Sequence, residues 1–416
     1  MAMQGPSTEQ PKDWAVVVTL GCTEAISYGV LYYAFAVFLK PMQAEMGWSR
    51  SLLTGAFSLA LLLSGVAGLA VGRWLDIHGP HVLMTFGSVC AAALILAWSQ
   101  THSLLTFYLT WCAIGLIMAA VLYEPAFWVV ATRFERHRGR ALTVLTFVAG
   151  FASVIFVPLA GALVQAQGWR GALVTLAAIL AIVTIPAHGL ALRAPYPARL
   201  RLLPYSMTQR KGDAKHSISR TQALHSASFW WLSLAFFLIT LSSAALATHL
   251  VPLLTERGYS PLIAASIVGA FGLAALPGRL IFTPLGDRFP REYVNALLFL
   301  LHALGLIALL TMPGLAGVVL FVALFGTAFG AVTPARAGIV AAMYGSANYG
   351  QINGVIAFAM TLARAAGPFA ISLLYDQSKG YRTSLVALTV TAVLAIVALF
   401  RADRLAKAEA APIEPS

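Results

Sequence analysis

The chain has 416 residues, of which 59% are hydrophobic and only 10% are charged, with a mean hydropathy of +0.82. Soluble domains are about 25% charged, so a water-soluble fold is excluded and the composition is that of an integral membrane protein. The net charge of +12 does not argue for nucleic acid, because the lysines and arginines sit in short loops between apolar runs, where the positive-inside effect accounts for them.

Runs of about 20 apolar residues fit membrane helices rather than barrel strands. Residues 1 to 13 are polar and lack the apolar centre of a signal peptide, so the N-terminus is expected to be mature. Twelve spans follow, at about 14–38, 51–72, 82–99, 104–131, 139–164, 170–192, 228–254, 262–285, 292–312, 315–342, 349–375 and 382–401. An even number places both termini on one side. Of the 27 Lys and Arg, 18 fall on that side, six (Lys40, Arg50, Arg170, Arg257, Lys379, Arg382) on the other, and three (Arg279, Arg336, Arg364) inside spans. The asymmetry predicts cytoplasmic termini and a multi-pass protein of the inner cell membrane. Trp14, Trp48, Trp98, Trp169 and Trp230 fall near span ends, where an indole N–H reaches water.

The expected organisation is a six-helix bundle over 1–192, a cytoplasmic linker over 193–226, a second six-helix bundle over 227–402 and a disordered tail over 403–416. The linker is basic, with Arg193, Arg199, Arg201, Arg210, Lys211, Lys215 and Arg220; a solvated segment or one lying on anionic lipid both fit. An internal repeat supports two halves of common plan. Gly47, Ser49 and Asp76 recur as Gly258, Ser260 and Asp287, each 211 residues on; Gly168-Trp169-Arg170 recurs as Gly380-Tyr381-Arg382 at 212, and Pro125 as Pro334 at 209. Parallel repeats of this kind build transporters with a midplane substrate site between the halves.

Polar residues inside the spans are the site candidates. In span 1, Glu24, Tyr28 and Tyr32 follow at intervals of four and form one stripe. A carboxylate whose protonation follows its surroundings is what a proton carrier needs; the other reading is a glutamate hydrogen-bonded to neighbouring helices. Glu124, beside Pro125 in span 4, is expected to form a gating or structural ion pair with Arg133, Arg136 or Arg138, with proton coupling as the second reading. His249, three residues before Pro252, is either a pH-sensitive gate or a satisfied histidine at the membrane interface.

Span 8 holds the residue on which the functional reading turns. Arg279 lies in an otherwise uncharged apolar segment, where an arginine costs roughly 2.5–3.5 kcal/mol and by default marks a site that binds or moves an anion; snorkelling to the headgroups is the alternative. Val268, Gly272, Ala275 and Arg279 fall near one line, and their small side chains are expected to leave room before the guanidinium. In span 11, Asn353 bonds either substrate or a facing helix, and Arg364, just before Gly367-Pro368, faces either a dianionic substrate or a structural partner. Gly65-Val66-Ala67-Gly68, and Gly150 with Ser153, read as close helix packing.

Several chemistries lack their residues. Cys22, Cys90 and Cys112 are scattered through apolar spans, so neither a disulfide framework nor a metal site is expected. No phosphate-binding Gly-x-x-x-x-Gly-Lys-Ser/Thr occurs, which leaves ATP-driven transport without support. No nucleophile–base pair suggests an embedded enzyme, and no cofactor is expected.

The segment Gly72-Arg73-Trp74-Leu75-Asp76-Ile77-His78-Gly79 resembles the loop signature of the major facilitator superfamily, with Pro80 and His81 in place of its basic pair; Gly286-Asp287-Arg288 is the second copy. The run 37–51, the loop 133–142, Gly168-Trp169-Arg170 and Arg279 are similar to the monocarboxylate porters and the bacterial oxalate/formate exchangers. The resemblance implies an all-α fold of twelve membrane helices in two six-helix pseudo-repeats, with Asp76 and Asp287 as gating or structural residues and Arg279 on the substrate carboxylate. A guanidinium suits that task, being planar, bidentate and permanently charged. Two departures put proton coupling in question: Ala275 stands where animal porters of this branch carry an aspartate, and Tyr33 where they carry a lysine.

The expectation is therefore a secondary transporter of a small organic anion, a monocarboxylate first, working by proton symport or anion exchange. Arg279, Tyr28, Tyr32, Asn353 and Arg364 would face the substrate, and Glu24, His249 and Glu124 are the coupling candidates. A drug or amphipath exporter of the same fold is the alternative; a membrane sensor or channel is a remote one.

Overall fold

The computed structural model describes residues 11–134, 137–193, 220–345 and 349–409. Within these, the side chains of Asp76, Arg138, Arg279 and Asp287 lie outside the description, as do Arg136 and most of the basic linker.

The described residues are helical almost throughout. In order they form α1 (Pro11–Tyr28), a π-helical turn (Gly29–Tyr33), α2 (Phe35–Met46), α3 (Arg50–His78), α4 (Pro80–Ser99), α5 (Leu104–Val121), α6 (Tyr123–Arg133), α7 (Arg138–Ala149) and α8 (Ala152–Ala191). Then follow α9 (Arg220–His225), α10 (Ala227–Glu256), α11 (Pro261–Arg288), α12 (Arg291–Thr311), α13 (Gly314–Tyr344), α14 (Tyr349–Ser378) and α15 (Tyr381–Glu409). Eleven continuous segments are long and apolar enough to cross a membrane. One of them, Arg140–Ala191, has 52 residues and turns back at Gly168, whose φ of 70° and ψ of 171° are not helical, so it supplies two crossings.

The helix starts follow from local chemistry. Ser103, Ser226 and Ser260 each accept a hydrogen bond from the backbone N–H three residues on, satisfying one of the donors a helix leaves open at its N-terminus. Pro261 stands at the first position of α11, where its missing N–H is no loss.

The chain divides into two compact units. Residues 1–46 and 63–202 make the first, and residues 47–62 and 203–416 the second. This departs from the expected division in one place, because the first turns of α3 group with the second unit. In the first unit α1 packs on α7 and α8, and α4 on α5 and α8; in the second α13 packs on α11 and α12, and α10 on α14 and α15.

Other expectations are corrected. The expected disordered tail over 403–416 is helical as far as Glu409, because the end of α15 has partners. Lys407 pairs with Glu292 and Asp403, and the Glu409 carboxylate accepts from the Ala227 and Ser228 N–H groups and the Ser228 hydroxyl, capping α10. Trp98 is not an interfacial residue: it is fully buried among Phe35, Phe38 and Trp111. Gly68 marks no close helix contact, since no described atom lies within 4 Å of where its Cβ would be.

Candidate functional site

In the first unit the expected stripe of span 1 exists, but its helix is not a regular one. The π-turn at Gly29–Tyr33 inserts a wider turn directly after Tyr28, the kind of bulge often found at functional sites. Gly29 lets α8 pack closely against this turn, because a Cβ there would overlap the Phe156 ring. Tyr28 and Tyr32 meet edge to face with ring centroids 6.1 Å apart; Tyr28 lies 4.8 Å from Tyr123, and Tyr123 stacks on Phe127 at 4.9 Å. All four rings are half-buried and make a continuous aromatic wall from α1 and the π-turn to α6.

At the foot of this wall stands Glu24. Its side chain is 0% exposed, and neither carboxylate oxygen has a hydrogen-bond partner among the described residues. The reading of Glu24 as a glutamate satisfied by neighbouring helices is therefore corrected. The neighbouring polar groups are engaged with one another: His188 Nε2 bonds Thr23 Oγ1 at 2.9 Å and Nδ1 bonds Ser88 Oγ at 2.8 Å. A second acid, Glu124, lies within electrostatic reach of Glu24.

Glu124 owes its place to a break in span 4. Pro125 cannot donate to the carbonyl of Val121, so α5 ends there, Leu122 turns extended (φ −98°, ψ −163°), and α6 restarts with Glu124 in its first turn. The expected pairing with Arg133 is corrected. Arg133 is nine residues further along the same helix, about 13 Å along its axis, and its Nη1 reaches Asp13 at 3.2 Å. Arg136 and the Arg138 side chain lie outside the described residues.

In the second unit Arg279 sits in the C-terminal half of α11, its side chain outside the description. Beside it α13 approaches so closely that a Cβ on Gly330 would overlap the Ala275 carbonyl oxygen, and one on Gly278 the Thr327 carbonyl oxygen. Small residues are needed there to let two backbones touch. Asn353 and Arg364 both lie on α14, eleven residues apart, about 16 Å along the helix. Asn353 Oδ1 is buried with no partner among the described residues, and Arg364 is exposed.

His249 is neither free nor interfacial. It is 1% exposed, with Nε2 at 2.9 Å from the Pro368 carbonyl and 3.1 Å from Ser372 Oγ, and Nδ1 at 2.8 Å from the Tyr381 hydroxyl. A carbonyl can only accept, so Nε2 carries the hydrogen and the Tyr381 O–H donates to Nδ1. The Tyr381 oxygen in turn accepts from Arg50 Nη1 at 2.6 Å, and Arg50 Nη2 lies 3.1 Å from Glu256 Oε1. Sequence reasoning missed Arg50, Glu256, Tyr375 and Tyr381, because each reads as an ordinary residue at a loop edge.

Two further arginines, Arg170 and Arg257, are structural as well. Arg170 donates to Glu45 and to the Ser99 and Thr101 carbonyls, and Arg257 to the Leu309 carbonyl. They close helix ends whose carbonyls would otherwise lack donors. Asp76 and Asp287, expected at gating loops, are at positions whose side chains are not described.

Comparison with known proteins agrees with this architecture. The model of the Major Facilitator Superfamily matches residues 22–334 and 232–415. The chain is 25% identical over 366 residues to the uncharacterized MFS-type transporter YcxA of Bacillus subtilis, covering 86% of this chain and 87% of that one. It is 26% identical over 380 residues to monocarboxylate transporter 13 of Bos taurus, covering 90% and 85%. Among solved structures, a bacterial homolog of the human lysosomal transporter Spinster superposes with a TM-score of 0.80 over 98% of this chain and 100% of that one, at 16% identity. With two repeats of membrane helices and a family match running nearly end to end, the chain belongs to the major facilitator superfamily: it is a membrane transporter and not an enzyme.

Proposed function

We propose that this transporter carries a small organic anion, a monocarboxylate first, by alternating access in the inner membrane with both termini cytoplasmic. The observation that carries the proposal is Arg279, a guanidinium in the C-terminal half of an apolar span, in a chain whose relatives include proteins named monocarboxylate transporters 13 and 11. A charge in that position has to be matched by another, and a substrate carboxylate matches it bidentately. Tyr28 and Tyr32 shape the path and offer hydroxyls, and Asn353 and Arg364 are the further candidate contacts.

Glu24 is the leading coupling residue, with Glu124 second. A buried carboxyl with no hydrogen-bond partner among the described residues is not held to one protonation state by its neighbours, whereas His249 is fully engaged and serves structure. Coupling is either symport of the anion with a proton or exchange of two anions.

The aromatic wall of Tyr28, Tyr32, Tyr123 and Phe127 supports a second reading, export of a larger amphipathic or aromatic solute. One experiment separates them: uptake of labelled lactate, pyruvate, formate and oxalate into proteoliposomes, with and without a pH gradient. Carboxylate uptake that collapses in Arg279→Lys supports the anion carrier. Full uptake in that variant, or none in the parent alongside transport of an amphipathic dye, supports the exporter.

A further inference from the structure

The turn after α2 and the turn after α10 align residue for residue. Glu45-Met46-Gly47-Trp48-Ser49-Arg50 matches Glu256-Arg257-Gly258-Tyr259-Ser260-Pro261 at a constant spacing of 211. Both glycines have a positive φ, of 69° and 92°, so the two turns share this feature of the backbone as well as a sequence.

Glu45 is clasped inside its own repeat. Arg170 Nε donates to it at 2.8 Å, and the Trp169 indole N–H donates to its other oxygen. The counterparts of Trp169 and Arg170 are Tyr381 and Arg382, so symmetry makes Arg382 the expected partner of Glu256. Arg382 is instead exposed, and the clasp is filled by Arg50, which belongs to the other repeat in sequence.

Arg50 is held on every side. It is 3% exposed, bonds Glu256 and Tyr381 as described, and lies with its guanidinium carbon 3.6 Å from the centre of the Tyr375 ring, whose hydroxyl donates to Glu256 at 2.7 Å. The next residues of α3 follow it: the Ser51 N–H donates to Asp376 Oδ2 at 3.2 Å, and the Thr54 hydroxyl to Ser372 Oγ at 2.7 Å. These bonds fasten the first turns of α3 to α10, α14 and α15. From residue 63 onward the same helix groups with the first unit.

We propose that Arg50 is a releasable latch of the transport cycle, occupying the Glu256 clasp while the start of α3 is bound to the second unit and giving it up to Arg382 when α3 lets go. The exchange leaves Glu256 paired in both states. Release then avoids stranding a partly buried carboxylate, the step that makes breaking such a pair costly, and keeps the two states close enough in energy for a carrier to cycle between them. The device is one-sided, because the residue equivalent to Arg50 is Pro261, which carries no charge to offer Glu45. It does not depend on which solute is carried.

The test uses the full-length protein in membrane vesicles with Cys22, Cys90 and Cys112 replaced by serine and Ser372→Cys as the reporter, since Ser372 is buried behind the latch. N-ethylmaleimide labelling is expected to rise about tenfold in Arg50→Ala, the change expected from one lost charge-assisted hydrogen bond. Where Arg50→Ala fails to fold, Glu256→Gln is read in the same way. Unchanged labelling overturns the latch. For the exchange itself, Arg382→Ala is expected to leave the melting temperature of the parent unchanged and to lower that of Arg50→Ala; equal effects in the two backgrounds overturn it.

Discussion

Gly330 in α13 lies against the carbonyl oxygen of Ala275 in α11, one helical turn before Arg279, and Gly278 meets the carbonyl of Thr327 close by. This backbone-to-backbone crossing sets where the arginine enters the span. A methyl group added at either glycine has no flexible neighbour to displace. Gly330→Ala and Gly278→Ala are each expected to cost about 1–3 kcal/mol, the usual penalty of overpacking. Gly68→Ala, at a site with no described atom within reach, should be neutral or slightly stabilising. Thermal unfolding followed by fluorescence-detected size exclusion checks all three, and a neutral Gly330→Ala would show that the crossing is loose.

Arg279→Lys keeps the charge and loses the fork of donors. Carboxylate uptake into proteoliposomes is expected to fall about tenfold or more, the worth of one charge-assisted hydrogen bond, with protein yield unchanged. Uptake at the parent rate removes the basis for an anion site at this position.

Glu24→Gln tests coupling apart from transport. The substitution keeps the shape of a carboxyl side chain that has no partner among the described residues, so folding should survive. Exchange across equal pH is expected to persist, while accumulation driven by a pH gradient is lost. If accumulation persists, the proton takes another route, and Glu124→Gln is the next variant to assay.

His249→Phe fills the same volume but removes both ring nitrogens. The Tyr381 hydroxyl loses its acceptor, a buried group whose unmet bond costs about 1–3 kcal/mol, and the Pro368 carbonyl keeps only its place in the α14 helix. A marked drop in melting temperature is expected, whereas a small one would show that His249 is not the keystone of this network.

The number of crossings, the break at Gly168 and the two-fold repeat were all legible in the chain, because each follows from local pattern: the length of an apolar run, a glycine that turns, a motif that recurs. The stripe of Glu24, Tyr28 and Tyr32 was legible for the same reason, as a matter of spacing along one helix. The π-turn after Tyr28 was not, and neither was the packing of Phe156 in α8 against Gly29, which joins residues far apart in the chain. Of the three arginines weighed as partners of Glu124, Arg133 alone is excluded, because along one helix nine residues separate groups rather than join them and Arg133 pairs with Asp13.

Residue order alone determined that this is a membrane-spanning helical carrier of two related halves, because the cost of placing polar backbone or charge in lipid is met segment by segment. Only the tertiary structure decided which polar groups share a partner. Arg50 and Tyr381 are 331 positions apart, and nothing in either neighbourhood announces the other. A buried hydrogen bond is chosen by whichever helices the packing brings together, so Arg50 was visible as one basic residue among several, and as the occupant of the Glu256 clasp only once α3, α10, α14 and α15 were in place.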